Sequence, residues 1–162
     1  MVMRKLKRLM RFGKGEVFYA GGRGEKTELK REGFRYEPDL MKAFDADAVS
    51  LHLTYIPGVT ENIITAKHLG QMRQRGILIN NARAELVNPD NVRMFLSSRL
   101  YEGVSCIFDV FWKEGGDFQN LRHVDHMHDE NRVYRELIQL PNLRYTGHSA
   151  ALHEQKWTQQ EY

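Results

Sequence analysis

The chain has 162 residues, of which 41% are hydrophobic and 28% charged, a composition typical of one globular domain and not of a disordered segment. Its 24 Lys and Arg residues exceed its 21 Asp and Glu residues by only 3, an excess too small to indicate a nucleic-acid partner. No run of about 18 apolar residues exists to span a membrane, and the basic start lacks a following signal region, so we expect a cytoplasmic protein with no membrane partner.

The first predicted element is an amphipathic helix over residues 2–11, with an apolar stripe and a basic face. Such a helix either covers a sheet with its basic face in water or docks on a membrane surface, a partner or a nucleic acid, and we favour the first interpretation. A strand follows over residues 16–20. The glycines after it, Gly21, Gly22 and Gly24, match neither a dinucleotide fingerprint nor a Walker sequence and therefore predict no phosphate cradle.

Apolar runs too short to be helices alternate with helical patterns along the rest of the chain. We predict strands over residues 48–53, 77–79, 104–111 and 143–148, and helices over residues 38–44, 65–72, 89–96 and 133–138. The 77–79 run does not alternate with polar residues, which predicts a strand covered on both faces, and Asn88 is the predicted N-cap of the helix after it. Cys106 is a predicted core thiol. This order of elements indicates an α/β fold with a parallel, doubly wound sheet.

Three polar residues fall at or just beyond the ends of predicted strands: Arg83, Glu114 and His148. Each has an ordinary structural explanation, as an ion-pair residue, a solvated loop carboxylate or a hydrogen-bonding imidazole. Together, at the carboxyl edge of one sheet, they supply an anion-binding cation, an acid/base group and a carboxylate to orient it. The placement predicts a catalytic site at this edge.

Four successive motifs resemble the nicotinamide-binding domain of the D-isomer-specific 2-hydroxyacid dehydrogenases. They are the segments 46–53, 79–83, 109–114 and 140–148. The resemblance extends from about residue 4 to residue 155, and the Thr146-Gly147-His148 ending looks most like the D-lactate dehydrogenase branch. It implies a Rossmann-like sheet and a cofactor that is NAD or NADP.

The resemblance also implies residue roles. Arg83 matches the arginine that holds the substrate carboxylate, His148 the acid/base at the keto oxygen, and Glu114 the carboxylate that hydrogen-bonds this histidine. Asp109 matches the acidic residue near the nicotinamide carboxamide. The cofactor groove of the family is lined at positions matching Leu53, Thr54 and Ala82.

Departures from the family are equally specific. The first strand and glycine-rich turn of the family would precede Met1, and its substrate domain is absent, so we expect residues 1–155 to form a partial dinucleotide-binding domain and residues 156–162 to start a truncated segment. Loss of a central strand would leave two half-sheets. Ala20 stands where the family places the acid that bonds the ribose hydroxyl, and Arg23 would suit the 2′-phosphate of NADP. Glu85 would compete with substrate for Arg83.

The expected function is that of a fragment of an oxidoreductase, transferring hydride between NAD(P)H and a small 2-keto acid to give a D-2-hydroxy acid. We expect a homodimer in a full-length form and little activity from these 162 residues alone. A first alternative is a catalytically inactive nucleotide-binding or partner-binding remnant that docks through residues 2–11. A second is a metal site in the histidine-rich segment 123–129, whose spacing matches no closed zinc site, so we predict no metal.

Overall fold

A computed structural model describes residues 16–21, 24–98, 103–112 and 132–147. The chain divides into two compact units, residues 1–43 and 44–162. The described strands correspondingly form two sheets, one of two strands and one of four. The predicted helix over residues 2–11 and the histidine-rich segment lie outside the described residues. No helix among those described is long and apolar enough to cross a membrane.

The first unit holds a small parallel sheet. Strands β1 (Phe18–Ala20) and β2 (Arg35–Glu37) pair in parallel, and helix α1 (Thr27–Arg31) connects them. Helix α2 (Leu40–Ala43) follows β2. The strand predicted over residues 16–20 is therefore confirmed for its last three residues, and the helix predicted over residues 38–44 is confirmed in a shorter form.

The second unit is built on four parallel strands in the order β3-β4-β5-β6. The strands are β3 (Ala48–Leu51), β4 (Ile77–Asn80), β5 (Ser105–Phe108) and β6 (Leu143–Tyr145), and the helices are α3 (Ala66–Leu69), α4 (Pro89–Ser97) and α5 (Arg132–Gln139). A 3-10 turn, Ala84–Leu86, lies between β4 and α4. This alternation confirms the predicted α/β, Rossmann-like fold with a parallel sheet.

Helix α4 begins as its sequence predicts. The side-chain oxygen of Asn88 accepts hydrogen bonds from the backbone N–H groups of Asp90 at 2.9 Å and Asn91 at 3.2 Å, which satisfies two amides that have no partner within the helix. The apolar stripe is buried at Val92, Phe95 and Leu96. Arg93, on the same helix, joins Glu136 of α5 at 3.0 Å, so the two helices are held together by charge as well as packing.

The prediction that β4 is covered on both faces is wrong for its first residue. Leu78 and Asn80 are fully buried, but Ile77 is 38% exposed and Ile79 is only half-buried. Successive side chains of a strand point to opposite faces, and crossovers of one hand place their helices on the same face. Consistent with this, α3 packs against α4 and α4 against α5. The described helices of this unit thus cover the face of Leu78.

The four strands of the second unit end in a single row. Leu51 pairs with Asn80, Asn80 with Phe108, and Phe108 with Tyr145. The predicted strands over residues 48–53, 104–111 and 143–148 are therefore too long at their carboxyl ends. Apolar residues continue beyond the row, including the buried Val110 and Phe111, but they pack in the core without a strand partner to extend the ladder. The loops that follow the four strands therefore all begin at the same edge of the sheet.

Candidate functional site

The residues that follow the row of strand ends gather at the carboxyl edge of the second unit's sheet. Leu53 and Thr54 follow β3, Arg83 follows β4, Asp109 follows β5 and Thr146 follows β6. Ligands of open α/β sheets bind at such an edge, because the loops there converge while the strands hold them in place. The edge is therefore the candidate site.

Arg83 presents its guanidinium to solvent at this edge. Its backbone is extended, with φ −147° and ψ 140°, and its Nη1 donates a hydrogen bond to the carbonyl oxygen of Ala82 at 3.1 Å. Within the described part of the chain the side chain has no ion-pair partner, and the expected competition from Glu85 does not take the form of a salt bridge. An exposed arginine without a carboxylate can bind an anionic ligand with both of its terminal nitrogens.

Asn80, the last residue of β4, is fully buried and bonded to the turn that carries Arg83. Its Nδ2 donates to the carbonyl oxygen of Arg83 at 2.9 Å, and its Oδ1 accepts from the backbone N–H of Ala82 at 3.1 Å. The Asn80 side chain thus supplies hydrogen bonds that a neighbouring strand would supply within the sheet. The backbone of the turn is fixed although it lies beyond the sheet.

Asp109 is the second buried polar residue at the edge, with an exposed fraction of 8%. The hydroxyl of Thr146 donates to its carboxylate, and its backbone N–H donates to the carbonyl oxygen of Asn80 at 2.9 Å. Among the described residues, Asn80 and Asp109 are the only buried polar or charged side chains, and they stand at the ends of adjacent strands. Burying such groups costs free energy unless they are hydrogen-bonded. Two of them at the ends of adjacent strands therefore indicate a functional site at this edge.

The segment with Leu53 and Thr54 is anchored to the turn after Arg83. The Thr60 hydroxyl donates to the Thr54 carbonyl oxygen at 2.9 Å and accepts from the Ile56 N–H at 2.7 Å, which closes the loop on itself. Farther along, the N–H of Asn62 donates to the Glu85 carbonyl oxygen at 2.8 Å. These bonds hold the loop after β3 beside the loop after β4.

Two tyrosines near this edge, Tyr55 and Tyr134, have raised pKa values, in part because carboxylates lie near them. Burial, then Glu61 and Glu85, raises the pKa of Tyr55, and burial, then Asp90 and Glu85, raises the pKa of Tyr134. Each phenol resists ionisation because its anion would be poorly solvated and close to carboxylates. Glu85 therefore adds negative potential to the edge without forming an ion pair with Arg83.

The segment after β5 is fixed by a buried indole. Nε1 of Trp112 donates to the Val87 carbonyl oxygen at 2.8 Å, and Trp112 is 4% exposed. Its ring lies 5.3 Å from that of Phe108 and 5.1 Å from that of Phe111, measured between centroids. The chain is therefore held against the turn after β4 up to the point where the described residues stop, two positions before Glu114.

The structure brings together five of the residues singled out in the sequence, namely Leu53, Thr54, Ala82, Arg83 and Asp109. Ala20 is the last residue of β1, in the first unit. Arg23, Glu114 and His148 lie outside the described residues, so their predicted roles stay predictions. Asn80 and Thr146 also belong to this edge, although neither was predicted as a site residue. The available signal was a polar residue ending or directly following an apolar strand.

Metal binding finds no support in the part of the chain that the structure describes. No three His, Cys, Asp or Glu residues there are grouped so that they could hold an ion. The histidine-rich segment 123–129 is not among these residues.

Residues 3–150 match the family model of the D-isomer specific 2-hydroxyacid dehydrogenase, NAD binding domain. A 2-hydroxyacid dehydrogenase A of Aspergillus oryzae is 34% identical over 110 residues, which are 68% of this chain and 30% of that protein. A D-lactate dehydrogenase of Lactobacillus delbrueckii subsp. bulgaricus is 31% identical over 133 residues, 76% of this chain and 35% of that protein. The chain thus spans about a third of the length of these curated relatives.

The fold matches solved structures as well. The crystal structure of a D-isomer specific 2-hydroxyacid dehydrogenase from Lactobacillus delbrueckii ssp. bulgaricus, in its NAD complexed form, superposes with a TM-score of 0.68 at 27% identity. The match covers 90% of this chain and 41% of that one. A D-lactate dehydrogenase from Lactobacillus jensenii, solved with NAD⁺, gives a TM-score of 0.63 at 26% identity over 84% of this chain and 39% of that one.

Proposed function

Because the chain belongs to the D-isomer specific 2-hydroxyacid dehydrogenase family, whose NAD-binding domain it matches, we propose that it forms the dinucleotide-binding part of an oxidoreductase that interconverts a small 2-keto acid and a D-2-hydroxy acid. The observation that carries this proposal is the exposed guanidinium of Arg83 at the same sheet edge as the buried carboxylate of Asp109. The guanidinium suits an anionic substrate, and the carboxylate suits the amide of a nicotinamide.

The residues at the edge fit a nicotinamide dinucleotide. Leu53 and Ala82 are half-buried and apolar, which suits a flat ring, and the Asp109 carboxylate is a hydrogen-bond acceptor at the end of the neighbouring strand. When bound, this cofactor supplies or accepts the hydride. The protein's part is to place the ring, to hold the substrate carboxylate at Arg83 and to exchange a proton at the substrate oxygen.

The proton step is assigned to residues outside the described part of the chain. In this proposal His148 donates a proton to the keto oxygen during reduction, and Glu114 hydrogen-bonds the imidazole and favours its charged form. Arg83 acts before that step, because two parallel N–H bonds to a carboxylate set both the position and the orientation of the keto acid. The choice between NAD and NADP rests on Ala20 and Arg23, of which the first supplies no acid for a ribose hydroxyl.

The test begins with cofactor binding. Amide hydrogen exchange of the purified protein, with and without NADH or NADPH, is expected to slow around Ala82 and Asp109 with one of the two cofactors. Reduction of 2-keto acids is then followed by the loss of nicotinamide absorbance, with chiral analysis of the product. Protection without turnover would favour the inactive remnant. Free exchange in both states, with no turnover, would contradict the proposal.

Replacing Arg83 with lysine tests the substrate role. Lysine keeps the charge but loses the planar pair of donors, so we expect kcat/KM for the 2-keto acid to fall about a hundredfold while NADH affinity changes little. Arg144, exposed on β6, gives the matched control Arg144→Lys, which should leave both quantities unchanged. Equal turnover by the Arg83→Lys and wild-type proteins would rule out the assigned role.

A further inference from the structure

The side chain of Asn80 occupies a place where the sheet would favour an apolar residue. Its partners in the register, Leu51 and Phe108, are buried and apolar, and Asn80 itself is 0% exposed. A carboxamide at such a position is costly unless its donor and its acceptor are both bonded. Both are bonded, and both to the two-residue stretch Ala82–Arg83.

These two bonds restrain the backbone of the turn at both ends. Oδ1 of Asn80 fixes the N–H of Ala82, and Nδ2 fixes the C=O of Arg83. The torsions that lie between these two groups are those of Ala82 and Arg83, and they set the direction in which the Arg83 side chain leaves the sheet. The Arg83 carbonyl oxygen also accepts from the Leu86 N–H at 3.3 Å, in the 3-10 turn Ala84–Leu86 that begins directly afterwards. Among the described residues, the Ala82 N–H therefore depends on the Asn80 side chain, while the Arg83 carbonyl is shared between Asn80 and the turn.

We propose that Asn80 is a positioning residue, whose carboxamide holds the Ala82–Arg83 backbone so that the guanidinium of Arg83 faces the anionic end of the substrate. The part of this inference that concerns the substrate rests on the proposed function. The part that concerns the turn does not: without the Asn80 carboxamide, we expect the Ala82–Arg83 turn to lose its fixed conformation while the sheet persists.

Asn142 provides a matched control at the opposite edge of the same sheet. Its Nδ2 donates to the carbonyl oxygens of Leu96 at 3.2 Å and Val104 at 3.1 Å, so it also joins a side-chain amide to backbone carbonyls. It precedes β6 and lies at the amino ends of the strands, away from Arg83. Loss of Asn142 therefore reports the structural cost of losing such bonds without touching the candidate site.

The experiment compares Asn80→Ala, Asn80→Asp and Asn142→Ala in the purified protein. Exchange of the Ala82 amide, referred to the global stability of each variant, is expected to speed up about fivefold or more in Asn80→Ala and to stay unchanged in Asn142→Ala. Asn80→Asp keeps the acceptor for the Ala82 N–H and should restore protection of this amide in part. In turnover, KM for the 2-keto acid should rise about tenfold or more in Asn80→Ala, with a smaller change in KM for the cofactor.

Failure of the positioning role and failure of the proposed function give different results in this experiment. If Asn80→Ala and Asn142→Ala change Ala82 exchange equally, the positioning role is overturned whatever the enzyme does. If the turn loosens but KM for the 2-keto acid does not change in an active enzyme, the substrate half is overturned. A wild-type protein that shows neither protection by a cofactor nor reduction of a 2-keto acid contradicts the proposed function, and the exchange comparison still decides whether Asn80 holds the turn.

Discussion

At the scale of single residues, Thr146 and Asp109 form a side-chain contact just beyond the paired ends of β6 and β5. The Thr146 hydroxyl donates to the Asp109 carboxylate, while the Thr146 N–H donates to the Phe108 carbonyl oxygen at 3.0 Å. The hydroxyl therefore orients a carboxylate that is nearly enclosed by protein. The bond also ties β6 to the residue that we propose receives the nicotinamide amide.

Replacing Thr146 with valine removes this donor at nearly constant shape. A buried carboxylate that loses a hydrogen-bond donor is less firmly oriented, so we expect NADH affinity to fall about tenfold and thermal stability to fall as well. Thr146→Ser keeps the hydroxyl and should restore affinity. Fluorescence titration with NADH measures the affinity, and a valine variant that binds as tightly as wild type would show that the bond has no part in cofactor binding.

Cys106 carries a prediction about pH. Burial raises the pKa of its thiol from an ordinary 9.0 to about 12. Above pH 9 the unfolded chain releases this proton while the folded chain keeps it, so the unfolded state binds fewer protons and stability falls as pH rises. We expect this group to lower the free energy of unfolding steadily as the pH rises from 9 towards about 12.

Urea unfolding at several alkaline pH values measures this slope. Cys106→Ala removes the thiol, so its stability should fall less steeply over the same pH range, even though the smaller side chain lowers stability at neutral pH. Identical slopes for the variant and the wild-type protein would mean that the thiol ionises equally easily in both states.

At the scale of elements, Gly76 permits β4 to start where it does. A Cβ at this position would lie 2.8 Å from the Arg73 carbonyl oxygen and 3.5 Å from that of Asp47. Neither carbonyl can move freely, because the first accepts from the Gly76 N–H and the second from the Ile77 N–H, each at 2.9 Å. A side chain here must therefore shift the entry to the central strand.

Gly76→Ala is accordingly expected to lower the free energy of unfolding by about 1–3 kcal/mol, measured by urea denaturation. Gly58→Ala is an informative comparison, since Gly58 has a positive φ of 68° but open space around its Cβ position. Its cost of about 1–2 kcal/mol would come from the backbone conformation alone. A Gly76→Ala protein as stable as wild type would show that the backbone around Arg73 adapts without penalty.

For helix α4, the sequence pattern predicts the structure correctly. The Asn88 cap and the buried stripe of α4 follow from local chemistry, because the capping oxygen and the helical period involve only neighbouring residues. Strand ends were predicted less well. The apolar run through Phe111 continues beyond β5, and only pairing with the adjacent strands decides that the ladder stops at Phe108.

At the scale of the whole molecule, the described strands form one sheet of two strands and one of four. Successive parallel strands and their crossovers bring distant segments to one edge in the second unit. Helix α4 and strand β5 lie between Arg83 and Asp109 in the sequence, yet Asn80 bonds to the backbone of both. Its Nδ2 donates to the Arg83 carbonyl oxygen, and its own carbonyl oxygen accepts from the Asp109 N–H. The candidate site is thus a property of the row of strand ends and not of one motif.

The sequence by itself determined the α/β class, the parallel sheet, the family and the position of Arg83 just beyond a strand, because these follow from periodicity, caps and contiguous motifs. That Asp109 directly follows the end of its strand was decided by the pairing of β5, which stops at Phe108. Only the tertiary structure decided that Arg83 has no ion-pair partner among the described residues, that Ile77 is partly exposed, and that Asn80 and Thr146 belong to the site. These facts depend on which strands lie side by side and in which register. A hydrogen bond between residues far apart in the chain leaves no mark in the local pattern of either.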